Sequence, residues 1–257
     1  MIAELALDPA ARTWLRDLFQ GVPRVDCGID AVLEGPAGRA LVDDPADPRV
    51  VALVVGPFWY FAGDAAAAGA PDLLDAIPPW NLVMPSGPGW ETLADERLGD
   101  RLERMPRVSF VPDLLAPDRL DELVAASPDR DHLQPLDGDR AAALAAAPDG
   151  WLDLDGFTSP ADFAARGFGY ALVDGATVHG AAWTSLAWNR GVEVSVFVEP
   201  AHRRRGIATV VAAALVRESL ARGLRPSWDA ANPESCRLAE ALGYVRSGTY
   251  LARFVRP

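Results

Sequence analysis

Val194-Ser195-Val196-Phe197-Val198-Glu199-Pro200-Ala201-His202-Arg203-Arg204-Arg205-Gly206-Ile207-Ala208-Thr209 is the stretch whose reading decides the fold. Its apolar first half reads as a buried strand, and Pro200 as the end of pairing. After Gly206, apolar residues fall at Ile207, Val210, Val211, Ala214 and Leu215, the pattern of a half-buried helix. The turn between strand and helix holds three arginines and a glycine. The first amides of a helix lack partners and carry the positive end of its dipole, so the turn is a ready anion site. Glycine lets the backbone come close to such a ligand.

Working outward, Phe168 to Val173, Asp174-Gly175 and Thr177 to Leu186 read as a β-hairpin, and Val192 to Val198 as a third strand after Asn189-Arg190-Gly191. Leu133 to Leu136 reads as an earlier strand and Gly138 to Ala147 as an Ala-rich helix. Ser159-Pro160-Ala161-Asp162 carries the marks of a helix N-terminus. Downstream, Gly223 closes the long helix and Ser227 to Ala230 forms a short strand. Asn232-Pro233 starts a helix that stops at Gly243, and Tyr244 to Val255 supplies the last strands.

The first half is mixed α and β. Asp8-Pro9 starts a helix that Gly21 ends, Val50 to Val55 is a buried strand, and Phe58 to Phe61 is its hairpin partner. Leu82 to Met84 and Val108 to Val111 read as strands, and residues 91–104 and 117–125 as helices. Trp59, Tyr60, Trp80 and Trp90 read either as core or as a pocket lining. Residues 1–131 contain no histidine, nucleophile elbow or glycine phosphate loop. Ser127-Pro128-Asp129-Arg130-Asp131 reads as a linker, which divides the chain into 1–130 and 131–257.

The chain has 257 residues and a net charge of −12, of which residues 1–130 carry −11 and residues 131–257 carry −1. Acid in this excess argues against general nucleic-acid binding, which depends on neutralising phosphates. Cys27 and Cys236 fit no zinc or CxxC spacing, and no metal is expected. Glu4, Asp8 and Arg12 are incompatible with a signal-peptide core. The apolar run Val50 to Gly63, 14 residues broken by Gly56-Pro57, is too short to span a bilayer. The expectation is a cytoplasmic protein with no nucleic-acid or membrane partner, monomeric or homodimeric.

The order strand, Arg203-x-x-Gly206-x-Ala208, helix, strand, Asn232-x-x-Ser235-x-x-Leu238 and Leu242-Gly243-Tyr244 resembles the GNAT superfamily of N-acetyltransferases. Trp228-Asp229-Ala230-Ala231-Asn232, Leu238-Ala239-Glu240 and Phe168-Gly169-Tyr170 look closest to the zwittermicin A resistance-type subgroup. The motifs cover about residues 155–254. The resemblance implies an α+β fold, with a mostly antiparallel sheet splayed at the cofactor site and flanked by helices. It also implies that the first half is a degenerate, non-catalytic counterpart of the same fold, although no internal repeat is visible in the sequence. The activity implied is acetyl transfer from acetyl-CoA to a primary amine of a small molecule or peptide. A non-catalytic acyl-CoA-binding sensor or scaffold is the alternative.

On that resemblance, the amides from about Arg204 to Thr209, through Arg205, Gly206, Ile207 and Ala208, would cradle the pyrophosphate. Arg203, Arg204 and Arg205 would hold phosphates, the last two the 3′-phosphate. The backbone of Phe197 and Val198 would pair with the pantetheine arm, as an added strand pairs with a sheet edge, and Asn232 would contact that arm. Glu193 alternates with Val192, Val194 and Val196 and is the candidate general base. The family often has a tyrosine seven residues after the asparagine as proton donor to the thiolate. Here that residue is Ala239, which leaves Ser235 and Tyr244 as candidates for the role.

Overall fold

The computed structural model describes residues 2–147 and 150–257. The chain forms two compact units, Met1–Arg107 with Thr249–Pro257, and Val108–Gly248. The first run of elements is β1 (Ala3–Leu5), α1 (Pro9–Leu18), α2 (Gly28–Glu34), β2 (Arg39–Val42), β3 (Val50–Val55), β4 (Phe58–Gly63), α3 (Ala70–Asp75), β5 (Leu82–Val83), α4 (Pro88–Leu98) and β6 (Leu102–Val111). After α5 (Pro117–Ala125) comes a second run. It is β7 (Leu133–Pro135), α6 (Gly138–Ala146), α7 (Pro160–Arg166), β8 (Gly169–Asp174), β9 (Thr177–Trp188), β10 (Gly191–Val198), α8 (Ile207–Ala221), β11 (Arg225–Ala230), α9 (Pro233–Leu242) and β12 (Val245–Val255).

The two runs have the same order of strands and helices. Among the described residues, strands in the first unit pair antiparallel from β1 to β4, β4 pairs parallel with β5, and β5 pairs antiparallel with β12. Strands in the second unit pair antiparallel from β7 to β10, β10 pairs parallel with β11, and β11 pairs antiparallel with β6. Each unit thus takes a closing strand from the other run of sequence. The structure therefore shows a repeat that residue identities conceal.

This exchange moves the division away from residue 130. Val108 to Phe110 pair with Ala230 to Trp228, which draws the end of β6 into the second unit. Helix α5 belongs there too. Leu120 is fully buried in that core, Arg119 donates to the Ala241 carbonyl, and Arg217 pairs with Asp121. Arg253 and Phe254 of β12 pair with Val83 and Leu82, which draws the C-terminus into the first unit.

Local chemistry explains most boundaries. Asp8, Asp137, Ser159 and Asn232 each accept a backbone N–H three residues on, at 2.8, 2.7, 3.1 and 2.8 Å. Asp162 returns the favour by accepting from the Thr158 amide, a capping-box arrangement displaced by one residue. The helix expected over 91–104 starts earlier and stops at Leu98, where Gly99 takes φ 48°, and strand follows from Leu102. Trp59, Tyr60 and Trp90 are core, with Phe61 stacked on Trp90 at 4.9 Å, whereas Trp80 is exposed. Among the described residues no helix is long and apolar enough to cross a membrane.

The exchanged strand β12 carries an ion pair into the first unit. Arg253 is buried and donates through Nε to Asp95 at 2.8 Å, with Glu91 at 3.3 Å. The Arg253 hydrogen bond, helped by Arg104, holds the Asp95 carboxyl below the usual carboxylate range against the opposing effect of burial. A depressed carboxyl stabilises the fold above its unfolded pKa of about 3.9, and that contribution is lost as pH falls through the folded value. Asp95→Asn should cost about 1–2 kcal/mol at neutral pH, less than for a fully buried pair because Asp95 is partly exposed and Glu91 remains. Melting curves of wild type and variant should be separated at pH 7 and converge towards strong acid. A gap that stays constant with pH would show that the charge contributes nothing.

Candidate active site

The site lies in the second unit, where two parallel strands part. β10 pairs with β11 over Gly191–Glu193 against Arg225–Ser227. Beyond Glu193, among the described residues, it keeps only its antiparallel partner β9, as far as Val198 opposite Gly180. β11 meanwhile continues as Trp228–Ala230 against β6. The β10 edge from Val194 to Val198 is therefore released on the side that β11 leaves. The pairing of β9 with β10 shifts register between Glu193 and Val194, with Ser185 as the extra residue on β9.

Strand alternation sorts the β10 side chains. Val192 and Val194 are buried in the core with α8. Glu193, Ser195 and Phe197 point the other way and are half-buried. On that face the Trp151 ring stacks on Phe197 at 4.5 Å and leans on Trp183 at 5.6 Å, while the Trp183 indole donates to the Asp153 carbonyl. Asp153 and Asp155 are both exposed on this loop, and the surrounding protein and then Asp155 push the Asp153 carboxyl above its ordinary value. Trp151, Asp153 and Asp155 belong to no sequence motif and fall in a loop, so the sequence gives no sign of their meeting here.

The turn after β10 is shaped for an anion. Arg204 takes φ 65° and Gly206 φ 83°, both left-handed, and nothing lies within 4 Å of where a Gly206 Cβ would sit. The first bond back into α8 is from Val210 N–H to the Gly206 carbonyl, and no side chain caps the helix. The amides just before Val210, those of Ile207, Ala208 and Thr209, are left facing out of the helix end. Gly180 makes room for that end, since a Cβ there would meet Ile207 Cγ2 at 2.9 Å and Val198 Cγ2 at 3.0 Å. The arginines differ. Arg203 folds back, its Nε donating to the Val198 carbonyl at 3.2 Å, while Arg205 donates to His202.

Asn232, Ser235, Trp228 and Tyr244 form the other wall. Asn232 caps α9 by accepting the Ser235 amide, and the Trp228 indole N–H donates to Ser235 Oγ at 3.1 Å. The Ser235 hydroxyl thus serves Trp228 as acceptor and keeps its own proton available. Gly243 at φ 110° stops α9, and the Tyr244 N–H bonds back to the Ala239 carbonyl, so Tyr244 belongs to the helix cap and the strand starts at Val245. Its ring packs on Trp228 at 5.3 Å. The phenol oxygen is buried with no hydrogen-bond partner among the described residues. Burial first, then the Glu193 charge, raises its pKa well above 10, so it stays protonated. Ala239 is fully buried and presents nothing to a ligand.

This geometry matches one known architecture. The family model described as GNAT acetyltransferase fits residues 17–252. The chain belongs to the GNAT acetyltransferase family. Its match begins in the first run of elements, well before the motifs about 155–254 that carry the resemblance. The GNAT chemistry is acetyl transfer from an acyl-CoA donor. A GCN5-related N-acetyltransferase-like protein from Streptococcus suis 89/1591 has a similar structure, with TM-score 0.83 and 25% identity over 95% of this chain and 98% of its own. A putative GNAT acetyltransferase from Novosphingobium aromaticivorans DSM 12444 is similar at TM-score 0.52 and 22% identity, over 83% of this chain and 90% of that one. A tandem GNAT protein from the clavulanic acid biosynthesis pathway is similar at TM-score 0.54 and 15% identity, over 98% of this chain and 97% of that one. The last two are likenesses of fold alone. No curated protein matches the chain.

Tyr244→Phe removes a buried polar atom that lacks a partner. It should leave stability unchanged or raise it by up to about 1 kcal/mol, as measured by thermal unfolding. A clear loss would show that the phenol is bonded in the native protein.

Proposed function

We propose that this GNAT protein is an acetyl-CoA-dependent N-acetyltransferase, acting by direct attack of a primary amine of a small molecule or peptide. One observation carries the reading: an uncapped α8 N-terminus stands at the end of a strand edge that β11 has released. The pair fits a ligand that is anionic at one end and bears amides along an extended arm. The left-handed Gly206, with open space over it, fits the close approach of a phosphate. The Trp228-Asp229-Ala230-Ala231-Asn232 block supports placement near the zwittermicin A resistance-type subgroup.

Residues from Arg204 to Thr209 hold the pyrophosphate through their amides. Val198 offers main-chain groups to the arm, with Asn232 at its side, whereas the Phe197 carbonyl turns towards β9 beside Gly180 and leaves only its side chain for that role. The Val198 carbonyl already serves Arg203, which leaves one lone pair for a ligand. Bound acetyl-CoA supplies the activated acyl group. Glu193, at the last paired residue before the strands part, takes the proton that the amine must lose, directly or through water. Ser235 and Tyr244 supply donors for the sulfur. Because its pKa is raised so far, Tyr244 stabilises by hydrogen bonding rather than by giving its proton away. The acceptor approaches on the Trp151 face, which Glu193 shares. The first unit supplies none of these groups and is assigned a supporting, non-catalytic role.

Free-thiol release from acetyl-CoA over a panel of amines tests the reading. Glu193→Gln should slow turnover about a hundred-fold near neutral pH and leave cofactor affinity unchanged. Wild-type rates in that variant would remove Glu193 from the role of base. Gly206→Asp places a carboxylate over the helix end and should abolish acetyl-CoA binding in a calorimetric titration. Retained affinity would mean that the cofactor sits elsewhere. Tight CoA binding with no thiol release on any amine would favour a sensing or scaffolding module instead.

A further inference from the structure

The stretch Phe168-Gly169-Tyr170 has no part in the scheme above, and it lines a cavity of its own in the second unit. The cavity holds about 350 Å³, and its walls come from the start of α6, the end of α7, the start of β8 and the last turn of α8. That is the small end of the range for ligand sites. None of its lining residues belongs to the released β10 edge or to the Trp151 face. The anion turn lies at the other end of α8, about 22 Å away along the helix.

The polar groups of the cavity converge. Arg222 is fixed from two sides. Its Nε donates to Glu218 Oε1 at 2.8 Å, one helical turn back, and its guanidinium lies 4.0 Å from the centroid of the Phe168 ring. Both of its terminal nitrogens are left with no protein partner among the described residues, and so is the second oxygen of Glu218. Tyr170 is half-buried beside them. Burial and then the Glu218 charge raise its pKa, with Arg222 acting against them, so the hydroxyl stands close to both charges and stays protonated as a donor. No hydrogen bond holds that hydroxyl among the described residues. Phe163 and Phe168 are buried and give the cavity an apolar floor.

An exposed ion pair one helical turn apart adds little stability. This one orients a donor. A guanidinium whose Nε is taken and whose plane is stacked offers its two outer N–H groups as a fork, which a carboxylate meets with two parallel bonds. The open Glu218 oxygen suits an ammonium, and the floor suits a hydrocarbon side chain. We propose that this cavity is a second ligand site that binds a free α-amino acid with an apolar side chain, its carboxylate on Arg222 and Tyr170, its ammonium on Glu218 and its side chain over Phe163 and Phe168. The site does not depend on the reading of the gap between β10 and β11.

Calorimetric titration of the full-length protein tests this with L-phenylalanine and L-leucine, and with two analogues: 3-phenylpropionate, which lacks the amine, and phenethylamine, which lacks the carboxylate. At least one amino acid should bind with a dissociation constant of about 1 mM or below, and each analogue at least about ten-fold more weakly than phenylalanine. Arg222→Leu should weaken amino-acid binding about ten-fold or more at an unchanged melting temperature. Arg222→Lys, which keeps the charge and loses the fork, should recover little of that loss. No heat from either amino acid at up to about 10 mM overturns the site. So does equal binding of phenylalanine and phenethylamine, because no carboxylate is then recognised. Wild-type affinity in a folded Arg222→Leu protein overturns it too, by placing the ligand elsewhere. Should Arg222→Leu fail to fold, the comparison of the four ligands on wild type still decides.

Discussion

The second unit depends on one interruption of hydrogen bonding. β10 and β11 are parallel partners for three residues and then separate, each keeping its other neighbour. A sheet edge inside a fold is ordinarily a liability, because its amides and carbonyls need partners. Here the edge lies beside the open end of α8, so the unpaired groups of strand and helix face the same region. A ligand with amides along its length and phosphates at one end satisfies both. The side chains follow from the same interruption: Glu193 stands at the last paired residue, and Ser195 and Phe197 line the face where Trp151 packs.

The walls of this gap differ in kind. On the α9 side the polar groups are held by a chain of bonds, Trp228 to Ser235 and the Ser235 amide to Asn232, with the Tyr244 phenol buried nearby. Leaving a buried hydroxyl without a partner is costly. Such a group is easier to account for where a ligand atom completes it than where packing alone placed it. On the Trp151 side the groups are aromatic rings and carboxylates on a loop, less tightly tied. One wall is thus built from regular elements and the other from a loop, the division that the proposed function would expect of a shared donor and a varying acceptor.

Much of this was legible in the residues. The strand-turn-helix at 194–209, the caps at Asp8, Ser159 and Asn232 and the Gly243 stop all fall where local chemistry puts them, because each depends on neighbours in sequence. The short elements β1, β2, α2 and α3 escaped, since a few residues carry too little periodicity and the two helices have no side-chain cap. The division at 130 failed for a different reason. Val108 to Val111 reads correctly as a strand, but nothing in its own residues says that its partner is Trp228 to Ala230. The stack of the His179 ring on His202 was invisible for the same reason, since it needs β9 brought against the turn.

The exchange of closing strands also sets an order in time. The first unit has every element through α4 once about a hundred residues have been made, but the partner for Leu82–Val83 is Arg253–Phe254. During synthesis that sheet waits with one edge bare until Arg253 and Phe254 have been made. The second unit has no such delay for its own last partner, because β6 is made before the strands it joins. The half that carries the proposed active site can therefore mature first, with the supporting half closing behind it, an order of assembly opposite to the order of the sequence.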